Sequence, residues 1–202
     1  MMLCLVTDRR LRSPVAQASE AADAGIDLIH IRERDLDAAD LSALVERIVA
    51  ATRGSRTRVV VNDRVDVAIA CGADGVHLRG DSMPAARVRT MTPVGFLIGC
   101  AVRGRDEAIG AGRDADYLVA GTVFPTTSKP GLSERECLGL AGLAGIAAAV
   151  SVPVLAIGGM STTRAGEIVA AGAAGLAAIG LFADPNRTIK DVVRQLRDKL
   201  AT

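Results

Sequence analysis

Tryptophan is absent from the 202 residues, and Phe96, Tyr117, Phe124 and Phe182 are the whole aromatic content. Half of the chain is hydrophobic all the same, so its core has to be aliphatic and alanine-rich, a composition that suits helices layered on strands. Neither sign of charge is in excess: 24 basic and 23 acidic side chains leave a net +1. Without a basic stripe interleaved with aromatics, no nucleic-acid surface is expected. Cys4, Cys71, Cys100 and Cys137 form no CxxC pair, and His30 and His77 are the only histidines that could join them. That spacing argues against a zinc site or a disulfide framework and for reduced, buried thiols. No apolar run approaches the roughly eighteen residues of a membrane span, and "MMLCLVTDRR" lacks the basic start and cleavage pattern of a signal peptide. A cytoplasmic protein without membrane contact is expected.

What is present is alternation. Short β-like runs stand at 3–7, 28–31, 58–61, 75–78, 96–100, 117–120, 153–157 and 176–180. Helical patterns lie between them, clearest where Leu41, Leu44, Val45, Ile48 and Val49, and later Ile189, Val192, Val193, Leu196 and Leu200, recur every three or four residues. A refrain repeats in "AADAGIDLIHI", "AIACGADGVHL" and "IVAAGAAGLAAIG". Each runs from a helix end through a glycine suited to the left-handed position (Gly25, Gly72, Gly172) into an apolar strand. Strands apolar at consecutive positions are buried on both faces, as in a parallel sheet wrapped by helices. Eight such units in about 200 residues predict a single (β/α)₈ TIM-barrel domain over 1–202, with a doubly wound open sheet as the weaker alternative.

A barrel of this kind builds its site from the C-terminal ends of its strands. Read in order, those ends carry Asp8; His30, Arg32 and Arg34 of "HIRERD"; Asn62 and Asp63 of "NDR"; and His77, Arg79, Asp81 and Ser82 of "HLRGDS". The sixth strand leads into "GTVFPTTSKPG", where Thr126, Thr127, Ser128 and Lys129 offer three hydroxyls and a cation to phosphate oxygens. The seventh ends in Gly158 and Gly159, the eighth in "IGLF" with Gly180. Each has a plain structural reading: "RERD" as a self-paired surface cluster, Asn62 or Asp63 and Asp81 or Ser82 as helix caps, the histidines as core residues, and the paired glycines as a tight turn. Yet two arginines, a lysine loop and a glycine turn all map to one rim, in the region where barrels hold phosphate on backbone N–H groups. A small-molecule enzyme or binder for a phosphorylated substrate is expected.

The strings "CLVTD", "IHIRERD", "VVVNDRVDVAIACGADGVHL", "IGCAV", "ADYLVAGTVFPTTSKPG" and "PVLAIGGM" together resemble the thiamine phosphate synthase superfamily, which includes the thiazole tautomerases, over essentially the whole chain. A synthase of that family joins a hydroxymethylpyrimidine diphosphate to a thiazole phosphate, with magnesium and basic residues carrying the diphosphate. The resemblance implies that Arg32, Arg34, Asn62, Asp63, Thr126 and Lys129 fall on diphosphate, pyrimidine or metal positions, with Asp63 as the metal carboxylate. It puts Gly158 and Gly159 on the thiazole-phosphate loop, with Gly180 replacing a serine beside it.

The departures point elsewhere. Synthases typically read "HLGQEDMP" where this chain has "HLRGDSMP", so Ser82 stands at a magnesium-binding aspartate, Gly80 at a glutamine, Ala101 at a serine and His30 at a glutamine. Losing one of two carboxylates should weaken magnesium severely. "HIRER", Ser82, "AIGGM" and "KPGL" resemble the tautomerase branch, which moves a proton without metal. The catalytic histidine of that branch is Thr122 here, and a hydroxyl cannot replace imidazole as a base. The leading expectation is therefore a thiazole tautomerase-like isomerase with no cofactor. Thr122 would stand at its catalytic position and His30 would be the first choice of base, ahead of His77 and Cys100. Two alternatives stand beside it: a magnesium-using synthase, and a non-catalytic phosphate-ligand binder or regulator. The partner is a small phosphorylated thiazole or pyrimidine, and a homo-oligomer is left open.

Overall fold

The computed structural model describes residues 1–126, 131 and 133–199. Eight parallel strands, β1 (Met2–Val6), β2 (Leu28–Ile31), β3 (Arg58–Asn62), β4 (Gly75–Leu78), β5 (Leu97–Val102), β6 (Tyr117–Gly121), β7 (Val154–Ile157) and β8 (Gly175–Ala178), pair in chain order, and β8 closes on β1. The helices that return the chain are α1 (Pro14–Ala24), α2 (Ala38–Ala51), α3 (Val65–Ala70), α4 (Ala85–Arg89), α5 (Arg105–Ala111), α6 (Gly139–Ala147) and α7 (Ala165–Ala170). A short α8 (Gly180–Ala183) and a final α9 (Ile189–Asp198) follow β8. This is the (β/α)₈ barrel; the open-sheet alternative falls with the β1–β8 pairing. The expected run at 176–180 is corrected: the strand ends at Ala178, and Gly180 opens α8.

Strand alternation sorts the side chains into two layers. Leu3, Leu5, Ile29, Ile31, Val59, Val61, Val76, Ile98, Leu118 and Ala156 point outward and pack under the helices. The barrel interior holds Cys4, Val6, Leu28, Val60, Tyr117, Val119, Leu155 and Ala177. Tyr117 needs room there, which Gly99 of the neighbouring strand supplies: a Cβ at 99 would overlap the phenol ring. The refrain glycines Gly25 (φ 74°), Gly72 (φ 68°) and Gly172 (φ 87°) adopt the left-handed backbone that their place after a helix predicts. All four cysteines are free thiols. Among the described residues no helix is long and apolar enough to cross a membrane.

Candidate active site

A cavity of about 1090 Å³ opens at the C-terminal ends of the strands. His30, Arg32, Arg34, Asn62, Thr122, Thr126, Gly158, Gly159 and Gly180 all line it, together with Arg79 of the "HLRGDS" strand end and Arg164, which no sequence motif singles out. Lys129 lies outside the described residues.

The β2 end shows how the rim is built. Thr7 Oγ1 donates to Glu33 Oε1 at 2.7 Å and accepts from the Arg32 amide at 3.0 Å, so Glu33 is turned down into the protein. Asp35 pairs with Arg9 at 2.8 Å and Arg10 at 3.1 Å. The acids of "RERD" are thus occupied elsewhere, and the self-paired surface reading is corrected: Arg32 and Arg34 face the cavity. Burial and the positive charges of Arg32 and Arg79 lower the pKa of Arg34, the signature of guanidiniums gathered in one corner.

At the β3 end Asp63 takes a left-handed backbone (φ 58°), tolerable for aspartate, and this turns its carboxylate toward the end of β4. Oδ1 accepts from Ser82 Oγ and from the Arg79 amide at 3.2 Å. Oδ2 accepts from Asn62 Nδ2 at 3.0 Å and lies 2.7 Å from Arg79 Nε. The Arg79 side chain reaches on to Asp81, with Nη2 at 3.1 Å from Oδ2. The helix-cap readings are corrected too, since α3 begins after Arg64 and α4 after Pro84, both without a side-chain cap.

Below this rim a polar line crosses the barrel. The Tyr117 hydroxyl lies 3.2 Å from His77 Nδ1, and the His77 and His30 rings meet at a tilt of 50° with centroids 4.5 Å apart. Burial drives both histidines toward neutrality. His77 is pushed down to about 4, and His30 is held well below the usual range by burial and then by its neighbours His77 and Arg32. His30 Nε2 is buried without a hydrogen-bond partner. Cys100 is no rim residue: it faces outward into the helix-packed core, and burial raises its thiol to about 11.

Across the mouth, Gly158 (φ 101°) and Gly159 (φ 63°) form a turn that only glycine fits. The Thr122 methyl fills the space a Cβ on 158 would need, and Pro125 O and Phe124 Cβ crowd a Cβ on 159. The Thr122 methyl thus packs under the turn. Arg164 braces the same turn, donating from Nη1 to Gly159 O at 2.5 Å with its guanidinium 4.2 Å from the Phe124 ring centroid.

Comparison with known proteins places this geometry. Residues 3–182 match the family model described as thiamine monophosphate synthase. The thiamine-phosphate synthase of Methanoculleus marisnigri is 38% identical over 98% of this chain and 95% of its own length. The chain belongs to the thiamine monophosphate synthase family. A thiamine-phosphate synthase of Roseiflexus castenholzii is 40% identical over 87% of this chain and 78% of its own. Among solved structures, the thiamine phosphate pyrophosphorylase of Pyrococcus furiosus superposes with a TM-score of 0.87 at 33% identity, covering 99% of this chain and 95% of that one. These relatives carry the synthase name at this identity over nearly the whole chain, so the expected tautomerase-like isomerase is corrected to a transferase of the synthase kind. The motifs that favour the tautomerase branch lie within a chain that matches the synthase family model over residues 3–182.

Proposed function

We propose that the protein is a thiamine-phosphate synthase that couples hydroxymethylpyrimidine diphosphate to thiazole phosphate. The observation that carries the reading is a cavity with a guanidinium-rich corner and a glycine-turn corner on opposite sides. Arg32, Arg34, Asn62 and Arg79 stand at or just past the C-terminal ends of β2 to β4, and the Gly158–Gly159 turn and Gly180 at the start of α8 follow β7 and β8. β3 and β7 are four strands apart in a closed eight-stranded ring, so the corners face each other across the mouth. The guanidinium corner suits a diphosphate, which planar N–H forks hold well. The glycine turn with a short extra helix is the usual phosphate cradle of such barrels. A coupling enzyme with two phosphorylated substrates needs two such corners, one for each.

Between the corners the thiazole nitrogen forms the new bond to the pyrimidine methylene carbon, and the diphosphate leaves with the electron pair of its C–O bond. The arginines stabilise the charge that collects on the leaving group. Neutral His30 and Asn62, at the floor and side of the cavity, supply polar contacts for the pyrimidine. Thr126 lines the cavity, and Lys129, three residues further along the sequence, supplies a further cation for the anions.

Family membership implies magnesium, and the residues present do not fit it. A carboxylate offers about four acceptor sites; Asp63 already accepts from Ser82, the Arg79 amide and Asn62, and the Arg79 guanidinium stands against Oδ2 as an ion pair. Ser82 contributes no charge, and Asp81 is tied to Arg79. No step is therefore routed through a metal. Calorimetric titration tests the two-corner reading. Thiazole phosphate should bind the protein already saturated with inorganic diphosphate, at a stoichiometry of one each; mutual exclusion of the two would refute it.

A further inference from the structure

The misfit between the Asp63 corner and a divalent cation has a positive counterpart in Arg79. We infer that the Arg79 guanidinium serves as the built-in counter-charge of the diphosphate corner, so that this site takes the diphosphate group without a divalent metal. The inference rests on the diphosphate half of the reading above.

Three observations support it independently. The first is occupancy: Arg79 Nε sits 2.7 Å from Asp63 Oδ2, and the Arg79 amide and Ser82 Oγ hold Oδ1, so a fixed organic cation neutralises the carboxylate that would otherwise bind an ion. The second is positioning. Arg79 is held at both ends, its amide by Asp63 and Ser82 (2.9 Å to Oγ), its side chain by Asp63 and Asp81, which aims a long flexible chain along the cavity wall at little further entropic cost on binding. Serine at 82 is what this arrangement needs. A second carboxylate there would stand beside Asp63 and repel it, whereas the hydroxyl donates to it. The substitution that removes a metal ligand thus also builds the socket for the arginine.

The third observation is the charge count. Arg32, Arg34 and Arg79 converge on the wall against Asp63 and Asp81, an excess of one cation, and Arg34 already feels the other two as repulsion. A multiply charged anion relieves that repulsion, and planar guanidiniums can grip its oxygens in pairs. The Nε–H of Arg79 is not aligned on Asp63 although the charges touch, so the guanidinium can tilt toward a ligand and keep its ion pair.

Titration of the purified protein with inorganic diphosphate, in EDTA and again in excess magnesium, tests the inference by binding alone. The expected result is saturable binding in EDTA with no gain from magnesium. Arg79→Gln should lose on the order of tenfold or more in EDTA while its thermal unfolding stays near that of the parent. The double variant Arg79→Gly with Ser82→Asp should bind diphosphate only when magnesium is added. Binding by the unmodified protein that requires magnesium would overturn the inference even if Arg79→Gln failed to fold, and so would an Arg79→Gln protein that binds as well as the parent in EDTA. Metal-free, Arg79-dependent binding by a protein that performs no coupling would leave this inference standing and remove the synthase reading; magnesium-dependent binding by an active synthase would do the reverse.

Discussion

Acidification from pH 6.5 to 5 should destabilise the fold through its two histidines alone. The chain has no others, and both are buried in the barrel interior. His77 titrates near 4 in the fold, against 6.5 when unfolded, because burial penalises the imidazolium; His30 is lowered in the same direction for the same first reason. The sign follows from proton uptake. Between the two pKa values the unfolded chain binds protons that the native state refuses, so stability is fully present above about pH 6.5 and lost as pH falls toward the folded value. For His77 the whole shift corresponds to about 3 kcal/mol, spread over the window from pH 6.5 to 4. Near pH 5.5 most carboxylates are ionised in both states, so each histidine contributes a slope of about 1.4 kcal/mol per pH unit. Urea unfolding at half-unit steps of pH would measure it. The expected slope lies between one and two protons per molecule, and His77→Asn should reduce it by one. A flat stability curve across this window would refute the buried, neutral His30–His77–Tyr117 line.

Gly99→Ala should cost about 1–3 kcal/mol of stability, read as a lowered urea midpoint, because its Cβ overlaps the Tyr117 ring. Gly159→Ala places a Cβ at φ 63° against Pro125 O and Phe124 Cβ; it should raise KM for thiazole phosphate and leave diphosphate binding unchanged in calorimetry. Arg164→Ala removes the brace on the same turn and should give the same pattern more weakly, about tenfold or less in KM. Lys129→Ala should weaken a phosphorylated ligand on the order of tenfold and hardly touch its dephosphorylated analogue in a binding titration.

The fold was legible because each unit announces itself locally. A glycine after a helix, a small-residue turn and a doubly apolar strand, as in Gly72 to Leu78, are short-range signals that the barrel repeats. The site was legible as a rim: His30, Arg32, Arg34, Asn62, Thr122 and the glycines at 158, 159 and 180 line the main cavity, Asp63 borders a smaller one beside it, and of the other candidates Ser82 and Cys100 line neither. Partnerships were not. The binding of Glu33 to Thr7, 26 residues away, and of Asp63 to Ser82, 19 residues away, depends on strand register, which spacing does not encode. Half of the Arg164 brace is of the same kind: Gly159 is its neighbour in the loop after β7, but Phe124 meets it only where the loops after β6 and β7 touch. Ser82 was read as the loss of a ligand, although in the fold it helps to seat Arg79.

The central claim is transfer between two phosphorylated substrates. Purified protein incubated with hydroxymethylpyrimidine diphosphate and thiazole phosphate should form thiamine phosphate and release diphosphate in a one-to-one ratio, quantified in the same reaction by chromatography and a diphosphate-coupled assay. Absence of both products with folded protein, in EDTA and in magnesium alike, would contradict it.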